Sequence, residues 1–311
     1  LNVLISDLKN LSDKYKKIPM LARTHGQPAL GTTLGKELAV FSFRLDRIKK
    51  TLHGFRFQGK LNGAVGNYSA MFFAYPKIDW IKQNSKFVEN LGLEFNPLTT
   101  QIESGDSHCE FFQKVELINT VLVGLCQDFW RYISDGYFKL ANNPHEVGSS
   151  TMPQKINPIH FENAEGNLLI ANSLLNLFIT RLPISRLQRD LSGSTIRRNY
   201  GVALGHTLLA YHSFLTGLKE IKPAETKMMQ DLRSDWSILS EAVQIYLKSK
   251  GYTYGYETVK KLFRGLNLNE KQYKMAIENL PINSEDKKIL KKLRPEEYLG
   301  LSDYLADYQK E

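Results

Sequence analysis

Apolar residues recur at spacings of three and four along most of the chain, which is the period of an amphipathic helix rather than of a strand. Leu1, Leu4, Leu8, Leu11 and Tyr15 open the sequence in this register. A second stripe, Leu34, Leu38, Phe41, Leu45, Ile48 and Leu52, lies between Thr32 and Leu52. Val115, Ile118, Leu122, Leu125 and Phe129 make a third, and Leu204, Leu208, Tyr211, Leu215 and Leu218 a fourth. Stripes held over several turns predict long helices crossing at shallow angles, hence an all-α, long-helix bundle. Gly- and Asn-rich segments at 54–66, 96–105, 142–157 and 192–194 separate them. After about Lys222 the sequence becomes more charged and its helical segments shorten. The expected division is a central helical bundle over 1–220 and a smaller C-terminal helical domain over 221–311. Few polar residues interrupt the stripes, so a single chain would leave apolar faces open and a homo-oligomer is expected to cover them.

Composition narrows the class without fixing it. The 311 residues, 42% hydrophobic, suffice for a large core. No run of about eighteen apolar residues is present, so no membrane span is expected. The first residues show no secretory signal pattern. Cys109 and Cys126 are too few for a disulfide framework, and no Cys/His spacing resembles a metal site, so the expected setting is a reducing cytoplasm and no metal is expected. The formal net charge of +9 raises the possibility of a nucleic-acid partner. The lysines are spread along amphipathic segments, however, and no basic-plus-aromatic recognition motif accompanies them. Solvated helix faces account for most of the charge, and a small polyanionic substrate can use the rest. The chain starts at Leu1, already in helical register and without a methionine, from which a preceding segment is expected.

The chemistry concentrates in Gly148-Ser-Ser-Thr-Met-Pro-Gln-Lys-Ile-Asn-Pro158. Gly148 can take positive φ, and Pro153 prevents the segment from continuing as helix. Asn157 followed by Pro158 reads as an N-cap with proline at the first helical position. Lys155 and Asn157 would then stand at a helix N-terminus, where backbone N–H groups and the helix dipole favour an anion. Hydroxyls, a cation and an amide in one loop suit the binding of a carboxylate and the stabilisation of charge developing on it. A solvated connection between helices has much the same composition. His25 falls in a turn read as flanked by helices, a place where a histidine is a surface or hydrogen-bonded group as readily as a catalyst.

The loop resembles the signature G-S-S-x-M-P-x-K-x-N-P of the fumarase/aspartase superfamily, with every fixed position filled over eleven consecutive residues. Its extension Ile159–Asn167 resembles the bacterial-type adenylosuccinate lyase branch. So do Arg23–Ala29, Gly59–Asn67, Asn96–Glu103 and Leu182–Asp190, which follow in that family's order. Despite its glycines and Lys60, the segment 59–63 lacks the strand–loop–helix context of a phosphate-cradling loop. The resemblance implies a homotetramer with active sites shared between subunits, a longer chain carrying a domain ahead of Leu1, and cofactor-free elimination of fumarate. The implied substrates are the nucleotides adenylosuccinate and SAICAR, giving AMP and AICAR.

Residue by residue, the resemblance implies that His25 is the general acid and that Glu162 is its acidic partner, favouring the imidazolium. Ser149 matches the catalytic base, with Ser150 a ligand-contacting neighbour. Serine serves as a base only inside a closed, water-free loop rich in donors. Lys155 and Asn157 match the groups that grip the carboxylate beside the carbon losing its proton. Gln101 and Asn163 match further substrate contacts. Arg189, Ser194 and Arg198 match the phosphate-binding part. Ser194 and Thr195 are read as preceding a helical run, whose N-terminus could receive the phosphate. Gln154 departs from the histidine frequent at its position and is similar to argininosuccinate lyases, the alternative reading. A catalytically incomplete helical scaffold is the other.

Overall fold

The computed structural model describes residues 1–141, 152, 155–252 and 255–308. It starts with α1 (Asn2–Tyr15), a hairpin of β1 (Pro19–Thr24) and β2 (Gln27–Thr33), and α2 (Leu34–Lys50). Next come β3 (Gln58–Gly59), α3 (Ser69–Ala74), α4 (Trp80–Asn90) and β4 (Glu94–Phe95). The long α5 (Asp106–Ser134) and β5 (Phe138–Leu140) precede α6 (Ile159–Arg181), α7 (Ser192–Arg197) and α8 (Tyr200–Glu220). β6 (Ile221–Pro223), α9 (Glu225–Arg233), a 3₁₀ turn (Trp236–Leu239) and α10 (Ser240–Ser249) follow. The described chain closes with α11 (Gly255–Phe263), α12 (Glu270–Glu278), α13 (Ser284–Lys291) and α14 (Ser302–Asp307). Helices dominate, as the periodicity predicts, and the described strands are short and paired two by two.

Contacts group the chain into two units. The first comprises Leu1–Phe43, Tyr132–Val147 and Ile221–Glu311. Residues 221–311, expected to stand as a domain of their own, therefore share a unit with earlier segments. β6 pairs antiparallel with β5, from Phe138↔Pro223 to Leu140↔Ile221, and α9 packs on β1. In this unit α1 buries Leu4, Ile5, Leu8, Ser12 and Tyr15, one face of its cylinder. Ser12 satisfies its buried hydroxyl by donating to the Gly35 carbonyl at 2.8 Å. Leu21 of the hairpin joins Trp236, Leu239, Val243, Phe263, Tyr273, Ile277 and Leu290 in a core built from the short C-terminal helices. Those helices have local start signals. Asn269 and Gln272 form a capping box on α12, and the Asn283 side chain accepts from the Asp286 N–H on α13.

The second unit comprises Arg44–Arg131 and Gly148–Glu220. Its centre is a bundle of α5, α6 and α8. Phe129, Phe161 and Phe214, one from each helix, pack together. The first two rings stack at 4.9 Å and Phe214 meets Phe161 edge-on at 5.5 Å. Small buried residues, Ala164 and Ala171 on α6 with Ala203 and Ala210 on α8, let these two helices approach closely. The stripe expected on α8 is corrected. Its buried face is Ala203, Thr207, Ala210, Phe214, Gly217 and Leu218, while Leu208 is 58% exposed. α8 is apolar nearly all round, so hydrophobicity does not choose the inward face and side-chain size does.

Candidate functional site

In the first unit, His25 and Gly26 are the two central residues of the β1–β2 hairpin, with Thr24 paired to Gln27 across them. The flanking elements are strands, not the helices expected. Six and seven residues are too few for a period to register, and Met20 and Leu21 bury side by side before the register shift between Leu21 and Arg23. Both turn residues have positive φ, 52° and 75°, the signature of a type I′ turn that matches strand twist. Glycine adopts this freely. For His25 the left-handed backbone costs roughly 1–2 kcal/mol, strain of the kind retained where a side chain must be aimed. The imidazole is exposed at the hairpin tip, and Arg23 Nη1 braces the turn by donating to the Gly26 carbonyl at 3.3 Å. Behind it, burial pushes the Tyr137 phenol up to about 12, with Asp231 reinforcing the shift and Arg23 opposing it.

In the second unit, Ser149 and Ser150 lie outside the described residues, as do Pro153 and Gln154. Lys155 is exposed and Asn157 partly buried at the approach to α6. The N-cap of α6 is Pro158 rather than Asn157. The Pro158 carbonyl accepts from the N–H groups of Phe161 and Glu162, at 3.1 and 3.2 Å. With ψ at 48°, Pro158 is not yet helical, so the helix starts one residue later than its Asn-Pro step suggests. No side chain caps this end among the described residues, and the Ile159 N–H donates to the Asn157 carbonyl at 2.9 Å, so backbone carbonyls take most of its first N–H groups. Glu162 stands in the first turn, favourable to the helix dipole, and accepts from Trp130 Nε1 at 3.0 Å. Asn163, exposed beside it, accepts from Asn167 Nδ2 through its carbonyl and Oδ1.

A second group of expected residues gathers elsewhere in that unit. Arg189 Nη1 donates to Gln101 Oε1 at 3.5 Å. Arg189 and Ser194 line one small cavity of about 30 Å³ together with Ser185, Asp190, Gly193 and Arg197. Ser194 and Thr195 lie inside α7, not ahead of it. Asp190 accepts from the backbone N–H of Ser192 at 2.8 Å and from its hydroxyl, which starts the helix early. The N–H groups of Ser194 and Thr195 both turn to the Leu191 carbonyl, so they are not open to a phosphate. Arg198 is exposed at the C-terminal end of α7. The Asp190 carboxyl is held down to about 2, chiefly by the Ser192 hydroxyl and also by Arg181.

Sequence reasoning passed over the residues that hold Gln101 in place. Strands β3 and β4 pair in parallel and bring segment 59–67 against 96–103. Lys60 Nζ donates to the carbonyls of Gly63, Thr100 and Gln101, at 3.1, 2.9 and 2.8 Å. Partial burial lowers the pKa of this lysine. Asn62 Nδ2 donates to Thr99 Oγ1 at 2.8 Å. Gly66, at φ 81°, is pressed so closely on the Thr99 carbonyl that no Cβ fits. A glycine-bearing segment with Lys60 and Asn62, and a second segment rich in Thr and Gln, were the available signal. Among the described residues, no group of three or more His, Cys, Asp and Glu is placed to hold a metal ion.

A lyase family model matches residues 1–170, and one described as adenylosuccinate lyase C-terminal matches residues 185–299. Adenylosuccinate lyases of Buchnera aphidicola subsp. Acyrthosiphon pisum, Haemophilus influenzae and Escherichia coli K12 are 45%, 44% and 41% identical to the chain over 304 residues. Each comparison covers 98% of this chain and 67% of the relative. A solved fumarate lyase of Mesorhizobium sp. BNC1 shares the fold with TM-score 0.76 at 18% identity, covering 98% of this chain and 70% of that one. The 3-carboxy-cis,cis-muconate lactonizing enzyme of Pseudomonas putida does so with TM-score 0.74 at 20% identity, covering 98% and 69%.

Proposed function

The chain belongs to the adenylosuccinate lyase family of the fumarase/aspartase superfamily, and from that premise we propose that it eliminates fumarate from adenylosuccinate and SAICAR, giving AMP and AICAR. In this reading Ser149 takes the proton from Cβ of the succinyl group. The electrons of that C–H bond become the second bond of fumarate, the C–N bond breaks, and His25 protonates the departing nitrogen. Lys155 and Asn157 hold the carboxylate beside the deprotonated carbon, where the carbanion places its charge. Glu162 favours the imidazolium form of His25, and Ser150 and Asn163 contact the ligand. Arg189, Ser194 and Arg198 hold the nucleotide phosphate, with Thr195 at their side. Two protons are transferred, the C–H electron pair becomes the new C–C π bond and the C–N pair leaves with nitrogen, so the elimination as written draws on no cofactor.

The contact of Gln101 with Arg189 beside Ser194 is the observation that carries the reading furthest. It brings a residue matched to a substrate contact beside residues matched to the phosphate-binding part. The exposed leucines of α6 and α8 suit a homotetramer in which protomers complete one another's sites in the cytoplasm. Among the described residues, no helix is long and apolar enough to cross a membrane. A fumarate-release assay on the assembled enzyme with adenylosuccinate and argininosuccinate tests the proposal. Fumarate from adenylosuccinate, with KM raised about tenfold or more by Arg189→Ala, is expected. Release from argininosuccinate alone, with affinity indifferent to Arg189, contradicts it.

A further inference from the structure

We propose that Arg197, a residue the matched motifs pass over, is a further phosphate-binding cation of this site and sets its preference for a phosphorylated substrate over the corresponding nucleoside. The inference rests on the reading above, in which Arg189 and Ser194 hold a nucleotide phosphate. Arg197 lines the same cavity as those two residues and follows Ser194 by three positions on α7, on the same helix face. Its Nε is buried and makes no hydrogen bond among the described residues. A guanidinium keeps its charge and has only donors to offer, so a buried N–H without an acceptor points to an anion supplied from outside.

Among the described residues, no carboxylate forms an ion pair with Arg197. His108 Nδ1 is also buried without a hydrogen-bond partner among the described residues, and the Tyr200 hydroxyl, which the Arg197 guanidinium approaches, is a neutral group that leaves the guanidinium charge unmatched. Burial raises the Tyr200 phenol while Arg197 opposes the rise, and burial lowers the His108 imidazole with Arg197 adding to the effect. The Glu103 carboxylate lies 3.9 Å from His108 Nδ1 and accepts from the Gly105 N–H at 2.8 Å and from the Ser104 hydroxyl at 3.2 Å. Asp190 does line the cavity, but it accepts from Ser192 and from Arg181 at 3.3 Å, with Arg186 3.9 Å away. Its charge is thus balanced by Arg181 and Arg186, and Arg189 and Arg197 set the sign of the cavity. Two guanidinium groups lining one small space match the oxygens of a phosphate.

The test compares adenylosuccinate with succinyladenosine, the same molecule without phosphate, in the assembled wild-type enzyme and in Arg197→Met. The variant is expected to raise KM for adenylosuccinate about tenfold or more, while KM for succinyladenosine and both kcat values stay within about threefold. Arg197→Lys, which keeps the charge but not the fork, is expected to restore part of the loss. An unchanged KM for adenylosuccinate overturns the proposal, and so does a parallel rise for both substrates, which marks a merely structural role. If Arg197→Met does not fold, the same comparison on Arg197→Lys decides. Wild-type enzyme that releases no fumarate from adenylosuccinate instead overturns the reading beneath it.

Discussion

His25 stands on a turn whose geometry suits glycine and asparagine better than histidine, and the strain is local to two residues. Replacing it with glutamine should lower kcat by roughly 10²–10⁴, the usual contribution of a positioned acid, with thermal unfolding nearly unchanged. A loss of activity matched by a large fall in Tm would instead mark a structural role. The glycines of the two sites separate conformational from steric demands. Around Gly26 an added methyl meets open space, so Gly26→Ala should cost only about 1–2 kcal/mol in urea unfolding, from backbone conformation. Gly66 faces the Thr99 carbonyl in contact, so Gly66→Ala should cost more and displace the Gln101 segment. Lys60→Met removes a donor from three carbonyls and should destabilise by about 1–2 kcal/mol while raising KM, because Gln101 loses its anchor. At this scale the sequence offered candidate residues but not their backbones. The string around His25 resembles a family motif, yet a two-residue turn between short strands leaves no period to read.

Among the elements, the α5–α6–α8 bundle carries the second unit, and α5 was legible from its stripe. α5 buries Val115, Ile118, Leu122, Leu125 and Phe129 as the spacing predicts. Phe161, 1% exposed between Phe129 and Phe214, should cost roughly 3–5 kcal/mol when truncated to alanine, measured by chemical denaturation. The bundle also holds a polar layer that stripe reading does not reveal. Asn119 Nδ2 donates to Thr207 Oγ1 at 3.0 Å and Tyr211 OH donates to Asn119 Oδ1 at 2.9 Å. Such a layer fixes helix register when every member is satisfied. On α8 the stripe was misread because leucines occupy both faces, and only the partner helices determine that alanines and Phe214 turn inward. The start of α6 shows the same limit on a smaller scale. An Asn-Pro step announces a helix, but the ψ of Pro158 decides which residue caps it.

For the whole molecule, buried phenols set the alkaline limit. Tyr137 is pushed up to about 12, and Tyr211 and Tyr273 are also raised, each chiefly by burial. An unfolded tyrosine ionises near pH 10, so above that the unfolded chain binds fewer protons than the folded one and stability falls as pH rises. Their contribution should be complete below about pH 10 and decline above it, seen as a falling urea midpoint in alkaline titration. A midpoint insensitive to pH there would contradict the burial of these groups. The exposed leucines of α8 make a second prediction at this scale. Leu208→Lys should dissociate the oligomer in sedimentation and reduce activity with it, whereas unchanged mass would remove that face from the assembly. Fold class and family were readable because long stripes and an unbroken motif each survive without tertiary context. The grouping of 221–311 with 1–43 and 132–147 was not, since it rests on packing of the later helices against the β1–β2 hairpin and on the three-residue β5–β6 pair, neither of which leaves a pattern. The account turns on one chemical event, the loss of a Cβ proton to Ser149 with protonation of nitrogen by His25. Single-turnover fumarate release from adenylosuccinate by the assembled enzyme, Ser149→Ala, His25→Gln and the double variant tests it most directly. Each single variant should be slowed by at least ~10²-fold and the double little more, as residues acting in one step do. Release at near wild-type rate by either single variant contradicts the account.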